Sequence, residues 1–361
     1  MTSADISRIR LSNQQLTTPN YKTAKQVVAH MGAMQAQDYA MAKWAVGMRT
    51  KGATEKTINA AIDKGQILRT HVLRPTWHFI SSEDIYWMLE LTGPRIKMAM
   101  KSRNKELGLS DAVFKKSNRI ISKALEKGEH LGREELLNEL KHAKIPTDEN
   151  RASHLLMYAE LDGISCSGST KKTRSYALLE SQVPKKNTLK KDEALAKLAN
   201  IYFKSHGPAT LADFTWWSGL SATDAKLALA FLSSDFRQEM LGLQTYWWDD
   251  AHISKAIHSH VILLPAFDEY LISYKDRTAA VQLEHQKKAF SNNGIFWPTV
   301  IVNGRAIGIW KRTVKKDKVL IETDYFHPHN TTLKTLLKKS ADSFGHFLGL
   351  KANIGFAKPE V

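Results

Sequence analysis

The chain has 361 residues, with 52 Lys and Arg against 36 Asp and Glu, a formal charge of +16. A field of that sign concentrates polyanions and points to a nucleic-acid partner rather than a small neutral metabolite. The length exceeds what one hydrophobic core serves and predicts two to four compact modules, and the lack of any run of about 18 uncharged apolar residues argues against a membrane partner.

In chain order, the apolar spacing first predicts a helix from Tyr21 to Gly32, its apolar run continuing to near Met34, and a second from Thr54 to Lys64 with Ile58, Ala61 and Ile62 on one face. Gly65 ends the second helix, and Ile67 to Ile80 reads as a hairpin around Pro75-Thr76. A connecting helix from Asp84 to Leu91 is expected to stop before Gly93-Pro94. The pattern then recurs: a helix from Arg133 to Ala143, another from Ala152 to Leu161, and strands at Ile164 to Ser167 and Tyr176 to Glu180. A third copy follows, with a helix from Ala209 to Trp217, a turn containing Gly219, a helix opening on the Ser221-Asp224 capping box, and a hairpin from Phe236 to Asp249.

Two helices followed by a two-stranded wing make a winged helix. The expected fold is therefore α+β: three tandem winged-helix domains over residues 1–92, 93–184 and 185–254, then a small β-rich, barrel-like domain over 255–361. In that last part Val261 to Leu264, Trp297 to Val302, Ala306 to Trp310 and Val319 to Glu322 are β-prone, and Asn303-Gly304 is a hairpin turn signal. A closing helix from Thr332 to Phe347, capped by Gly349, completes it. Basic stretches at Arg95 to Lys105, Lys115 to Lys127, Lys171 to Arg174, Lys185 to Lys191 and Lys311 to Lys318 are spread along the chain and predict a long footprint.

The single cysteine, Cys166, excludes an internal disulfide framework or a Cys-rich zinc finger and reads as a small core residue. No His-Glu-x-x-His pattern occurs, His258 and His260 have no obvious carboxylate-rich neighbour, and no metal site is expected. Gly163 to Ser169 lacks the lysine and spacing of a phosphate-binding loop. Trp216-Trp217 and Trp247-Trp248 are expected in the core, and Asp268-Glu269 in a structural role, salt-bridged to the basic surface.

Gln35-Ala36-Gln37 follows the first apolar helix. Residues two apart share a side only in an extended backbone, whereas on a helix they point about 200° apart, so a shared site requires the helix to break there. Two glutamines two apart carry little weight alone. They stand, however, with Trp44-Ala45-Val46-Gly47-Met48-Arg49, with Arg69-Thr70-His71-Val72-Leu73-Arg74-Pro75-Thr76-Trp77-His78, with Leu264 to Leu271, and with Val302 to Arg312. Together and in this order, these blocks resemble the AlkZ and YcaQ family of bacterial DNA glycosylases, in the branch whose motif is Gln-x-Gln.

The resemblance implies tandem winged helices forming a concave DNA-binding surface and monofunctional excision of N7-alkylated purines, crosslinked ones included. It carries catalytic roles to Gln35 and Gln37 only. An N7-alkylated purine is cationic and leaves as a neutral base without a general acid, so the remaining task is to place a water, which a carboxamide can do. The expected partner is double-stranded DNA with alkylated bases, bound by a cytoplasmic monomer at the bacterial nucleoid without a small-molecule cofactor. Arg69, His71, Arg74 and His78 around the first wing, and Lys311, Arg312 and Lys315 on the last hairpin, are the expected DNA contacts. The competing expectation is a non-catalytic winged-helix transcriptional regulator reading major grooves.

Overall fold

The computed structural model describes residues 1–126, 130–172, 175–185, 189–249, 260–327 and 331–356. One element order recurs in it. The first copy comprises helix Ala24–Met31, strand Ala33–Gln35, helices Tyr39–Gly47 and Glu55–Asp63, and strands Ile67–His71 and Trp77–Ser81. Its third strand lies between the first and second, antiparallel to both, with His78 facing Gln35 on one side and Thr70 on the other. The second copy runs through Asp111–Leu125, Leu131–Gly132, Arg133–His142, Arg151–Leu161, Ser165–Ser167 and Ser175–Leu178 with the same strand order. In the third, helices Lys191–His206, Leu211–Ser218 and Ala222–Ala230 precede the hairpin of Arg237–Leu241 and Gln244–Trp248, and an isolated bridge between Ala209 and Trp247 stands where the first strand would be.

Local chemistry sets these ends. Thr23 and Gln26, and Thr210 and Asp213, form reciprocal capping boxes, and Ser221 accepts from the Asp224 amide. The first helix stops at Met31, short of the expected Met34, because Gly32 adopts φ +77°. A Cβ at Gly32 would also lie 2.8 Å from Ile201 Cγ2, so this turn packs directly on the third copy. The boundary expected between residues 92 and 93 falls inside a continuous helix, Ile85–Ala99, that runs through Pro94. Its buried face of Ile85, Met88, Leu89, Thr92 and Ile96 outweighs the hydrogen bond the proline removes. The boundary expected at 254/255 lies outside the described residues, as do parts of the basic stretches at Lys115–Lys127 (residue 127), Lys171–Arg174 (173–174) and Lys185–Lys191 (186–188).

The cores do not follow the four expected modules. Trp44 and Phe79 of the first copy share one core with Val300, Trp310, Phe344 and Phe347, far along the chain. On the other face of the same sheet, Ala33, Leu68 and Ile80 pack with Leu198, Tyr202 and Trp217 of the third copy. The N-terminal helix Ser3–Asn13 reaches the third copy as well as the first: Arg10 Nε donates to the Pro208 carbonyl at 2.8 Å and Asn13 to that of Gly207 at 3.0 Å, while the Asn13 carbonyl lies 2.7 Å from His30 Nε2. The helix Thr331–Leu348 returns to the first copy, placing Phe344 and Phe347 at 5.1 and 5.2 Å from the Trp44 ring.

The C-terminal part is one sheet ordered Lys351–Phe356, Lys318–Tyr325, Arg305–Val314, Thr299–Val302 and Val261–Leu264. Among the described residues it is a half-barrel, in keeping with the expected barrel-like domain, with no pairing between its two edge strands. The edge strand Lys351–Phe356, parallel to its neighbour, was not expected from the sequence. Asn303 and Gly304 take φ +51° and +87°, the left-handed pair a tight hairpin requires.

Candidate active site at the first sheet

The Gln-x-Gln segment leaves one helix and enters the next by an extended path. The Ala36 N–H donates to the Trp77 carbonyl at 2.7 Å, prolonging the strand pairing, and Asp38 then accepts from the Met41 N–H at 3.1 Å to start the next helix. Arg69 Nε donates to the Ala36 carbonyl at 3.0 Å. Gln35 is buried, at 6% exposure. Its N–H donates to Glu269 Oε1 at 2.6 Å, and its amide oxygen accepts from Arg74 Nη2 at 3.1 Å. Both the backbone and the side chain of Gln35 are thereby fixed, and its amide retains the nitrogen as an available donor.

Gln37 is exposed and borders a cleft of about 800 Å³ with Tyr39, Arg69, Trp77, Arg133 and Lys172. The Arg69 guanidinium lies 4.2 Å from the Trp77 ring centre and 5.4 Å from that of Tyr39, a cationic and aromatic wall. Glu160 also lines this cleft, receiving the His71 N–H at 3.0 Å and its Nδ1 at 2.5 Å. Arg312 Nη2 is 3.8 Å from Asp38, bringing the last hairpin beside the motif.

Behind Gln35, Glu269 gathers donors from three elements. It accepts from Trp217 Nε1 at 3.3 Å and from the Ser273 hydroxyl, and His206 Nε2 is 3.8 Å away. Burial pushes this carboxyl up, but His206, His78 and the Ser273 hydroxyl outweigh it and hold the carboxyl at about 2. Its neighbour Asp268 makes a two-pronged pair with Arg49, both contacts 2.8 Å, with both side chains buried. The structural role expected of Asp268-Glu269 is thus exercised inside the protein and not on the basic surface. Sequence reasoning missed that Glu269 anchors Gln35. The one available signal was that Leu264 to Leu271 and the motif belong to the same set of resembling blocks.

The expected DNA contacts divide. Arg69 faces the cleft; Lys311 and Lys315 are exposed on the last hairpin, which closes through Lys315 N–H to the Lys318 carbonyl at 2.8 Å. Arg74 is half-buried, reaching Gln35 on one side and bordering a second depression of about 780 Å³ with Arg95, Trp216 and Lys275 on the other. His71 and His78, at 5% and 0% exposure, are buried where no phosphate reaches them, because Glu160 holds the first and the Thr76 carbonyl, 2.8 Å from Nδ1, holds the second. Burial and the Arg74 charge lower His78 to about 3, so it is neutral at physiological pH. Trp217 and Trp248 are core as expected, whereas Trp216 is 43% exposed. Cys166 is buried and burial raises its thiol, which removes it as a nucleophile. His258 lies outside the described residues, and three residues that the sequence does not single out, Glu284, His285 and His327, come together among the described ones.

An exposed carboxamide on an extended segment, walled by arginines and aromatics in a cationic chain, is the kind of surface that suits a nucleic-acid substrate. The sequence pattern of the family described as DNA glycosylase AlkZ-like matches residues 28–347, and the chain belongs to that family. It is 22% identical over 353 residues to an interstrand DNA cross-link repair glycosylase from Streptomyces sahachiroi, covering 92% of this chain and 93% of the relative. Its fold matches that of Streptomyces sahachiroi DNA glycosylase AlkZ with a TM-score of 0.83 at 18% identity, over 99% of this chain and 100% of the other. The protein is a DNA glycosylase, and the expectation of a non-catalytic regulator is set aside. No described helix is long and apolar enough to cross a membrane.

Proposed function

We propose that the enzyme hydrolyses the N-glycosidic bond of N7-alkylated purines in duplex DNA, with each copy of the repeated motif serving as a winged helix. The observation that carries this reading is the division between the two glutamines: Gln35 is buried and held by Arg74 and Glu269, while Gln37 stands exposed at the cleft. The Gln37 amide oxygen accepts a hydrogen bond from a water beside C1′. As the water oxygen bonds to C1′, the C1′–N9 bond breaks, its electron pair neutralises the cationic purine, and the water proton passes to solvent. Gln35 sets the geometry from behind.

Two neutral amides supply no general acid, so the substrate must bring its own leaving-group activation. Uracil and undamaged bases are therefore poor substrates. The relative described as a cross-link repair glycosylase supports extending the substrates to interstrand crosslinks joined through such cationic purines. The enzyme acts as a monomer without a small-molecule cofactor and leaves the abasic strand unbroken. Arg69, Lys311, Arg312 and Lys315 supply contacts to the DNA backbone.

The test is release of 7-methylguanine from methylated duplex. Gln37→Ala abolishes release while DNA affinity stays within a few-fold, and Gln35→Ala does the same with some loss of stability. Undiminished release by the double variant would overturn the assignment.

A further inference from the structure

We infer that Glu284, His285 and His327 form a binding site for one late first-row divalent cation of the zinc class. His285 Nε2 and His327 Nε2 lie 2.8 Å apart, and Glu284 Oε1 is 3.4 Å from the first and 3.8 Å from the second. The three donor atoms all fall within 4.8 Å of one another. With metal–nitrogen bonds of about 2.05 Å, a separation of 2.8 Å subtends about 86° at the ion, and tetrahedral geometry requires about 3.3 Å. An opening of roughly half an ångström therefore suffices. His327 and Glu284 can provide it, since their side chains are 61% and 67% exposed, while His285 is buried and fixes the centre.

The donor set favours this class of ion. Two imidazoles and one carboxylate suit zinc and its neighbours rather than calcium or magnesium, which prefer oxygen ligands. Both histidine rings present the same nitrogen, Nε2, to a common point, and the His285 ring packs against Phe326 at 4.7 Å, which limits its rotation. The ligands come from the short helix Leu283–His285 and from the residue pair after strand Lys318–Tyr325. A bound ion would clip two segments 42 residues apart in sequence. None of the three lines the cleft at Gln37, so the assigned role is a structural clip rather than part of the hydrolysis.

The experiment uses the full chain without a histidine tag, stripped with chelator, and titrated calorimetrically with Zn²⁺. Stoichiometric binding to one site is expected, with a Zn²⁺-dependent rise in unfolding temperature. His327→Ala should weaken binding at least tenfold, and Glu284→Gln by a smaller factor. Neither residue lines the Gln37 cleft, so each variant should keep its base-release activity, and the Zn²⁺-dependent rise in unfolding temperature is read for each variant against its own apo form. Visible d–d absorption on Co²⁺ addition, lost in His327→Ala, would give a second readout. The absence of saturable Zn²⁺ binding, or binding unchanged by His327→Ala, would overturn the site and leave the contact as a plain imidazole–imidazole hydrogen bond.

Discussion

Replacing Glu269 by glutamine tests whether the Gln35–Gln37 segment, catalytic in the proposed mechanism, is held from behind. The carboxylate accepts from the Gln35 N–H at 2.6 Å, from Trp217 Nε1 at 3.3 Å and from Ser273. Hydrogen bonds to a charged group are each worth about 1.5–3 kcal/mol. A glutamine keeps one acceptor oxygen but turns an NH₂ toward a remaining donor, so the loss should be about 2–4 kcal/mol, below the roughly 3–5 kcal/mol typical of breaking a buried ion pair. Urea unfolding measures this directly. Because the carboxyl is held near 2 against an ordinary 4.5, its contribution is fully present above about 4.5 and is lost as pH falls toward 2. Glu269→Gln should remove that acid slope, up to about 1.4 kcal/mol per pH unit. Release of 7-methylguanine should fall by about 100-fold if the Gln35 backbone shifts by about 1 Å. A variant within about 0.5 kcal/mol of the parent, with unchanged release and an unchanged acid slope, would refute the reasoning.

Two further perturbations probe the wall and the sheet. Arg69→Ala removes the guanidinium over Trp77 and the bond to the Ala36 carbonyl, and should lower base release while reducing the salt slope of duplex binding by about one ion; an unchanged log–log slope would take Arg69 out of the interface. His78, lowered to about 3 against an ordinary 6.5, should show no imidazole titration by NMR between pH 5 and 8. Its contribution to stability should be complete above about 6.5 and decline as pH falls toward 3, since only the unfolded chain takes up the proton in that window. A titration midpoint near 6.5 in the folded protein would show that the ring is hydrated.

Much of the fold is legible locally because its signals are local. Ser221 with Asp224 opens a helix, Gly65 closes one, and Asn303-Gly304 turns a hairpin, each through a few bonds within reach in sequence. The two helices and the hairpin read in each copy follow from such signals and from the apolar stripe at Ile58, Ala61 and Ile62, whereas the helices Tyr39–Gly47, Asp111–Leu125 and Lys191–His206 and the strands Ala33–Gln35 and Leu131–Gly132 do not emerge from them. What escapes is the assembly. Gly93-Pro94 has the chemistry of a break, yet the apolar face of Ile85–Ala99 finds tertiary partners and carries the helix through it. The edge strand Lys351–Phe356 escaped because one parallel edge pairing leaves only a weak alternation.

The site divides along the same line. That Ala36 leaves the helix follows from the spacing of the two amides once they are taken to share a site, and Gly32, three residues before Gln35, supplies the break. Which glutamine is free does not follow from spacing, because the groups that immobilise Gln35 are Arg74 and Glu269, the latter 234 residues away. The buried histidines teach the same lesson. Thr70, His71 and His78 sit among arginines in a stretch that reads as a basic surface, but antiparallel pairing with Ala33–Gln35 and packing on Glu160 turn both imidazoles inward. A positive stretch thus marks a DNA-facing edge only where its side chains point away from the sheet core, and here that leaves Arg69 as the cation from this stretch that lines the Gln37 cleft. Under the proposed mechanism the division has a consequence: a buried Gln35 held by hydrogen bonds to Arg74 and Glu269 cannot follow a moving substrate, so adaptation to lesions of different size would fall to Gln37 and the exposed hairpin.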